Sequence, residues 1–228
     1  EDITRRGRRG LVVGGTGLYI RSLIMGLFPG PGANAAVREK LEEMKTPHLY
    51  QKLMHVDPET SKRLHPNDRV RIIRALEVHS LTGKPISSLQ RSHGFSRPLM
   101  PTLRIGVSVE GQVLMSRIIR RTQDMFSSGI VEEVKGLLSR GYGPHIRSMQ
   151  TFAYRHAYDV LAGRICFEEA VQRTIRDTWR LARRQMIWFR KEEDIVWLPW
   201  TAKEEIASRL EEFWDNDGTR GVHDALSA

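Results

Sequence analysis

A glycine-rich turn between an apolar run and a helical segment constrains this chain more than any other feature. Residues 11–13 are Leu-Val-Val and predict a short buried strand, while residues 18–25 have helical spacing. A strand, a glycine-rich turn and a helix direct free backbone N–H groups and a helix N-terminus at an anion. We therefore expect Gly14, Gly15 and the hydroxyl of Thr16 to face an anionic ligand. Glycines that only let the strand and helix pack closely would give the same pattern.

The charge balance favours a polyanionic partner. The chain has 228 residues, with 36 Lys and Arg against 27 Asp and Glu, which gives a net charge of +9. Such an excess is typical of nucleic-acid binding, although it also serves solubility. The single cysteine, Cys166, excludes an intramolecular disulfide framework and a cysteine-based zinc site, and it suits a reducing cytoplasm. No apolar run is long enough to span a membrane.

The order of predicted elements indicates an α/β body interrupted by a helical insert. Three strands are predicted, at 11–13, 103–109 and 195–198, and the helices between them favour a thin parallel sheet. A Pro- and Gly-rich stretch at 28–32 separates the first strand from a long helical region. We therefore expect a body from residues 1–30 and 103–215, an all-helical insert at 31–102 and a disordered tail at 216–228. Because the chain opens with Glu1, we also expect an N-terminal portion to be missing.

Two arginine-containing segments are candidates for binding phosphate. Arg71 and Arg74 share a stripe of a helix that is otherwise apolar, so they either pair with acids such as Glu77 or face a cleft. Arg117 and Arg121 are four residues apart on another predicted helix. An arginine pair of this kind suits a diphosphate, and a solvated surface is the alternative.

A third and a fourth segment suggest RNA. The predicted helix at 167–190 carries arginines on the side opposite its apolar face, and a phosphate backbone would relieve their mutual repulsion. These are Arg173, Arg176, Arg180, Arg183, Arg184 and Arg190. Residues 148–155 place amide, hydroxyl, aromatic and guanidinium groups at a helix start, where they could hold an unstacked base. A helix cap with core aromatics would have a similar sequence.

Taken together, these segments resemble the tRNA dimethylallyltransferases, also called tRNA isopentenyltransferases, and the shared motifs follow the family's order over nearly the whole chain. The pattern His-Pro-Asn-Asp is the most specific of them. The matching segments are 13–19, 27–31, 65–68, 74–78, 82–85, 148–150 with Tyr154, and 182–185 with Trp188 and Phe189.

The resemblance implies transfer of a dimethylallyl group from dimethylallyl diphosphate to the N6 amine of the adenine on the 3′ side of the anticodon. It also implies a P-loop NTPase-like α/β fold that is mostly helical, with a reduced parallel sheet and a helical insert. Mg²⁺ is the implied cofactor. The implied partners are the tRNA anticodon stem–loop and dimethylallyl diphosphate, and we expect a cytoplasmic monomer without a membrane.

Residue roles follow from the same resemblance. Thr16 matches the catalytic threonine near the reacting amine, and Arg121, Gly14 and Gly15 match diphosphate-binding positions. The resemblance and the arginine-rich helix together give the tRNA-binding positions: Arg38, Val70, Arg71, Arg74, Gln150, Thr151, Tyr154, Arg155, Arg180, Arg183 and Arg184.

The chain departs from the family pattern at several points. The 228 residues contain neither the P-loop pattern Gly-x-x-x-x-Gly-Lys-Ser/Thr nor the family's general-base aspartate segment. Ala153 stands where the family usually has glycine, and Trp179 where it often has arginine. We therefore expect these 228 residues alone to be inactive. Two alternatives remain open: a non-catalytic RNA-binding module, and a prenyltransferase that acts on free adenine nucleotides.

Overall fold

A computed structural model describes residues 2–28, 30–94 and 98–216, which form two compact units. One unit comprises residues 2–17 and 103–216, and the other comprises residues 18–102. The elements in chain order are α1 (Asp2–Arg5), α2 (Gly17–Met25), α3 (Ala35–Glu42), α4 (Thr46–Val56), α5 (Pro58–Arg63), α6 (Arg69–Thr82), α7 (Ile86–His93), β1 (Arg104–Ser108), α8 (Gly111–Ser127), α9 (Ile130–Ser139), α10 (Phe152–Leu161), α11 (Phe167–Phe189), β2 (Ile195–Pro199) and α12 (Lys203–Asn216).

The first unit combines a two-stranded parallel sheet with helices. β1 pairs with β2 from Arg104 opposite Ile195 to Ser108 opposite Pro199. Gly106 lies under the ring of Trp197, where a Cβ atom would come within 2.6 Å of the indole. The helices α8 to α11 and a 3₁₀ turn at Arg147–Gln150 share an apolar core formed by Phe126, Ile130, Val134, Met149, Ala157 and Ala170. The expected class, a mostly helical α/β fold with a reduced parallel sheet, is confirmed.

The predicted strand at 11–13 is wrong. Residues 11–13 have no regular secondary structure, and their apolar side chains are exposed, with Val13 at 87%. A strand forms only where a neighbour accepts and donates its backbone hydrogen bonds. In the part of the chain that the structure describes, the sheet contains only β1 and β2, so residues 11–13 have no such neighbour.

The first predicted boundary between the body and the insert lies between residues 30 and 31. The division into body and insert stays a prediction. In the structure, residues 18–30 group with the helical unit, while the second boundary falls between residues 102 and 103. The predicted tail at 216–228 lies outside the described residues except for Asn216, which ends α12.

The unit of residues 18–102 is built from short helices with well-defined ends. The carboxylate of Asp57 accepts a hydrogen bond from the Thr60 N–H at 2.9 Å and caps α5. Asp68 caps α6, and Gly83 ends that helix in the left-handed region with φ of 67°. The core of this unit packs α4 against α6 through Leu49, Leu53, Ile72, Leu76 and Val78.

A buried carboxylate ties α3, α6 and the segment before α3 together. Glu77 is completely buried and accepts hydrogen bonds from the Asn34 N–H at 2.7 Å, from Arg38 Nε at 2.9 Å and from Arg74 Nη1 at 2.6 Å. Burial raises the pKa of the Glu77 carboxyl, but the hydrogen bonds from Arg38, Asn34 and Arg74 outweigh it and hold the pKa at about 2. Glu77 is therefore ionised at every physiological pH.

We predict that Glu77→Gln destabilises the protein by about 2–3 kcal/mol, because charge-assisted hydrogen bonds are lost while both arginines keep access to water. Since the folded-state pKa lies below the usual value of 4.5, the stabilisation by Glu77 is present above pH 4.5 and is lost as the pH falls towards 2. Chemical denaturation at pH 7 and pH 3 should show a smaller pH effect in the variant. Glu59→Gln, which removes an exposed ion pair with Arg91, is the control and should change stability by less than about 0.5 kcal/mol.

Candidate functional site

The glycine-rich turn packs against α11. A Cβ atom at Gly15 would overlap the side-chain amide of Gln185, and one at Gly17 would overlap the indole of Trp188. Thr16 lies between these glycines, is exposed, and directly precedes α2. Gly15 and Gly17 therefore allow close packing against α11, not the packing of a strand on the following helix, because no strand forms at 11–13. The anion site at Gly14, Gly15 and Thr16 stays a prediction.

The arginines of α8 differ in what they contact. Arg117 stacks over the ring of Trp200, with its guanidinium carbon 3.9 Å from the ring centroid. Arg120 lies 4.0 Å from the carboxylate of Asp124. The side chain of Arg121 is exposed and forms no hydrogen bond or ion pair with any described residue. Arg121 therefore differs from Arg117 and Arg120 in having no side-chain contact of these kinds.

The polar side chains around the start of α10 are partly used within the fold. The side chain of Gln150 donates to the carbonyl of Pro144, and the hydroxyl of Thr151 donates to the carbonyl of Ser148 at 2.9 Å. The hydroxyl of Tyr154 donates to Glu133 on α9 at 2.5 Å. This hydrogen bond, together with burial, raises the pKa of Tyr154. These side chains therefore have partners within the fold, but the hydroxyl of Thr151 makes no capping hydrogen bond to α10. The roles of Gln150, Thr151 and Tyr154 in tRNA binding stay predictions.

The arginines of α11 fall into a paired and an unpaired set. Arg173 pairs with Glu169 at 2.6 Å, and Arg180 lies 3.5 Å from Asp177. Asp177 also accepts a hydrogen bond from Arg155 of α10 at 2.9 Å. Four arginines of this helix and its end have no ion pair or side-chain hydrogen bond within the described ranges: Arg176, Arg183, Arg184 and Arg190. The acids near the helix therefore neutralise part of the predicted arginine face and leave the rest exposed.

In the unit of residues 18–102, Arg38 and Arg74 meet at Glu77. The Arg–Glu network that the sequence allowed is confirmed, and Arg74 also donates to the carbonyl of Pro31 at 2.7 Å. Arg71 lies 3.3 Å from Asp68 at the start of α6, and Val70 beside it is exposed. These contacts explain the positions of Arg38 and Arg74, and the tRNA contacts assigned to all four residues stay predictions.

The structure brings several predicted site residues together and separates others. Arg155 and Arg180 share Asp177, while Arg38 and Arg74 share Glu77. Among the described residues, no hydrogen bond or ion pair joins Thr16 to Arg121. Four residues that the structure places at these points are not among the predicted site residues: Asp177, Gln185, Trp188 and Trp200. The family motif already contained Gln185 and Trp188, so a signal for those two was present.

The described residues lack both a metal-binding cluster and a helix that could span a membrane. The described residues contain no group of three or more His, Cys, Asp or Glu side chains arranged to hold a metal ion. No helix in the described ranges combines the length and the apolar character needed to cross a membrane.

Comparison with known proteins places the chain in a family. The family model described as IPP transferase matches residues 1–192. The chain belongs to the IPP transferase family. The fold of this member is also found in solved structures: a full-length tRNA isopentenylpyrophosphate transferase from Bacillus halodurans is 33% identical, has a TM-score of 0.58, and is matched over 94% of this chain and 71% of that chain. A eukaryotic dimethylallyltransferase acting on tRNA, at 24% identity, shares the fold with a TM-score of 0.78 over 95% of this chain and 59% of that chain.

Curated relatives of this IPP transferase family member carry consistent names. A tRNA dimethylallyltransferase 1 from Citrifermentans bemidjiense is 47% identical over 86% of this chain, and a tRNA dimethylallyltransferase from Geobacter sulfurreducens is 46% identical over 88%. The matches cover 64% and 66% of those two proteins, so the chain spans just under two thirds of their length.

We predict that Gly15→Ala destabilises the protein by about 1–3 kcal/mol, because the added methyl group must displace Gln185. In a Gln185→Ala background, the same substitution should cost much less, and thermal unfolding of the four proteins measures this coupling. Gly14→Ala is the matched control, since nothing lies within 4 Å of a Cβ atom there. Equal losses for Gly15→Ala in both backgrounds would contradict the contact.

Proposed function

We propose that this chain is part of an enzyme that transfers a dimethylallyl group from dimethylallyl diphosphate to the N6 amine of the adenine adjacent to the anticodon in tRNA. The observation that carries the proposal is the family match over residues 1–192, which includes the glycine-rich turn and the arginines of α8, α10 and α11. The names of the relatives support the same reaction. They lend no support to an RNA-binding module without activity or to an enzyme acting on free nucleotides.

In the proposed reaction, the N6 amine forms a bond to the allylic carbon as the bond from that carbon to the diphosphate oxygen breaks. Negative charge grows on the bridging oxygen, and the amine loses a proton. Arg121 is suited to the diphosphate because its exposed guanidinium has no partner among the described residues and offers several fixed donors. Thr16 would contact the reacting amine. No base and no Mg²⁺ ligand is assigned to the residues of this chain.

The arginines of α10 and α11 supply the proposed contacts to tRNA. Arg183 and Arg184 are exposed and have no described ion-pair partner, so binding a phosphate would cost them no existing contact. Arg155 and Arg180 form a second cationic group around Asp177. The proposed substrate implies a cytoplasmic protein, and we propose that it acts as a monomer.

The direct test is prenyl transfer to an anticodon stem–loop by the protein encoded by the complete reading frame that contains these residues. Radiolabel from dimethylallyl diphosphate should appear on the RNA, and changing the target adenine to guanine should abolish it. Transfer to free adenosine monophosphate but not to the stem–loop would favour the free-nucleotide alternative. Stem–loop binding without transfer would favour the binding module.

For the same protein, we predict that Arg121→Ala raises the KM for dimethylallyl diphosphate and lowers kcat, while the affinity for tRNA stays nearly constant. The combined loss in kcat/KM should correspond to about 2–4 kcal/mol, the scale of removing one donor that stabilises developing charge. Arg121→Lys should restore part of the activity, since lysine offers one compact charge. Arg120→Ala is the control on the same helix. Weaker tRNA binding with an unchanged KM would instead place Arg121 on the RNA surface.

We also predict that RNA affinity falls steeply with salt and that Arg183→Gln lowers the log–log slope by just under one unit. Arg209→Gln removes the same charge from α12, where Arg209 pairs with Glu205 at 3.0 Å, and should leave the slope unchanged. Binding of a fluorescent stem–loop at five salt concentrations measures both slopes. A wild-type slope near zero would show that the arginines do not meet phosphate.

A further inference from the structure

A single carboxylate between α10 and α11 holds two arginines from two helices. One oxygen of Asp177 accepts a hydrogen bond from Nη2 of Arg155 at 2.9 Å, and the other lies 3.5 Å from Nη1 of Arg180. The Asp177 side chain is only 17% exposed, whereas those of Arg155 and Arg180 are 41% and 61% exposed. In this cluster of Asp177, Arg155 and Arg180, the carboxylate therefore lies on the buried side and the two guanidinium groups lie on the exposed side.

A buried histidine fixes the inner side of this group. Thr174 Oγ1 donates to the carbonyl of Ala170 at 2.8 Å, so its lone pair receives the hydrogen bond from Nδ1 of His156 at 2.9 Å. With the imidazole proton on Nδ1, Nε2 is an acceptor. It lies 3.4 Å from Oδ2 of Asp177, so both acceptor atoms face the Nη2 group of Arg155. Nε2 lies 3.3 Å from Nη2 of Arg155, which therefore has one N–H for His156 and one for Asp177.

The charge state of the histidine agrees with this assignment. Burial and the positive charge of Arg155 lower the pKa of His156, so its imidazole is neutral at physiological pH. The opposing carboxylates of Asp177 and Asp159 are outweighed. The cluster thus contains two guanidinium groups and one carboxylate, and it keeps one uncompensated positive charge.

We propose that Asp177 and His156 are positioning residues that present Arg155 and Arg180 as a clamp for one phosphate of the RNA backbone. The guanidinium of Arg155 uses both N–H bonds of Nη2 on Asp177 and His156, which leaves its Nε and Nη1 donors for a ligand. An anion between the two arginines would balance the remaining charge. Fixing these side chains before binding lowers the entropy cost of ordering them in the complex.

This inference rests on the proposed function, because it takes RNA as the source of the phosphate. Dimethylallyl diphosphate carries the same chemical group and is the other source. Experiment distinguishes the two sources. Disrupting a clamp for RNA changes the dissociation constant of the stem–loop, whereas disrupting a clamp for dimethylallyl diphosphate changes the KM for that substrate.

The test is the effect of Asp177→Asn on binding of an anticodon stem–loop by the full-length protein. If Asp177 acted only as a nearby negative charge, removing it would strengthen RNA binding. If it positions the arginines, the variant should bind about tenfold more weakly, which is the loss of about one charge-assisted contact. The KM for dimethylallyl diphosphate should not change.

Asp159→Asn is the matched control. Asp159 lies on α10, is 18% exposed, and pairs with Arg164 at 2.9 Å, so the substitution makes the same charge change at similar burial. Its RNA affinity should be equal to or higher than that of the wild type. Circular dichroism melts of both variants check that they fold.

A double-mutant cycle shows whether Asp177 acts through its partner. In an Arg155→Gln background, Asp177→Asn should have little further effect on RNA affinity. If Asp177→Asn does not fold, Arg180→Gln, which removes an exposed side chain, provides the same readout and should weaken binding in a manner coupled to Arg155→Gln.

The outcomes distinguish a failure of the proposed phosphate clamp from a failure of the proposed prenyl transfer. RNA binding that is unchanged or strengthened by Asp177→Asn overturns the clamp and leaves the proposed substrate standing. A changed KM for dimethylallyl diphosphate with unchanged RNA affinity also overturns it. A protein that transfers no prenyl group, but loses RNA affinity in Asp177→Asn, supports the clamp and contradicts the proposed reaction.

Discussion

The interaction on which much of this structure depends is a shielded carboxylate shared by two arginines. Glu77 holds Arg38 and Arg74 in the helical unit, and Asp177 holds Arg155 and Arg180 in the other. A buried carboxylate would be costly alone, and two guanidinium donors supply the hydrogen bonds that its oxygens need. Each group keeps an excess positive charge on its exposed side. Each carboxylate thereby orders two cationic side chains while neutralising only one of the two charges.

This division of the arginines connects folding with function. Arginines that meet carboxylates stabilise the packing between helices, and those with no described ion-pair partner, such as Arg121 and Arg183, remain available to ligands. The net charge of +9 is consistent with both roles of the arginines. Because one carboxylate can order two arginines, the fold needs fewer acidic than basic residues. In the proposed reaction, the RNA and the diphosphate would be the ligands of the remaining charge.

Features set by neighbouring residues could be predicted from the sequence. The caps at Asp57 and Asp68 and the end of α6 at Gly83 depend on contacts within a few residues, so residue type and spacing are enough to indicate them. The pairing of Glu77 with Arg74 is also local, because the two residues are three apart on a helix.

Features set by distant residues could not be derived in this way. The apolar run at 11–13 has the composition of a strand, but composition does not provide a pairing partner. Asp177 meets Arg155 across two helices, and Gln185 meets Gly15 across most of the chain. The spacing of residues within a segment does not indicate contacts of this kind with distant residues, although Gln185 does belong to the family motif.

The most direct measurement is an arginine-specific chemical footprint. The full-length protein is treated with phenylglyoxal, with and without an anticodon stem–loop, and the modified arginines are identified by mass spectrometry. Protection of Arg155, Arg180, Arg183 and Arg184 by RNA, with unchanged modification of Arg164 and Arg209, is the predicted result. Equal modification of the first four arginines with and without RNA would show that the exposed charge of α10 and α11 does not meet the nucleic acid.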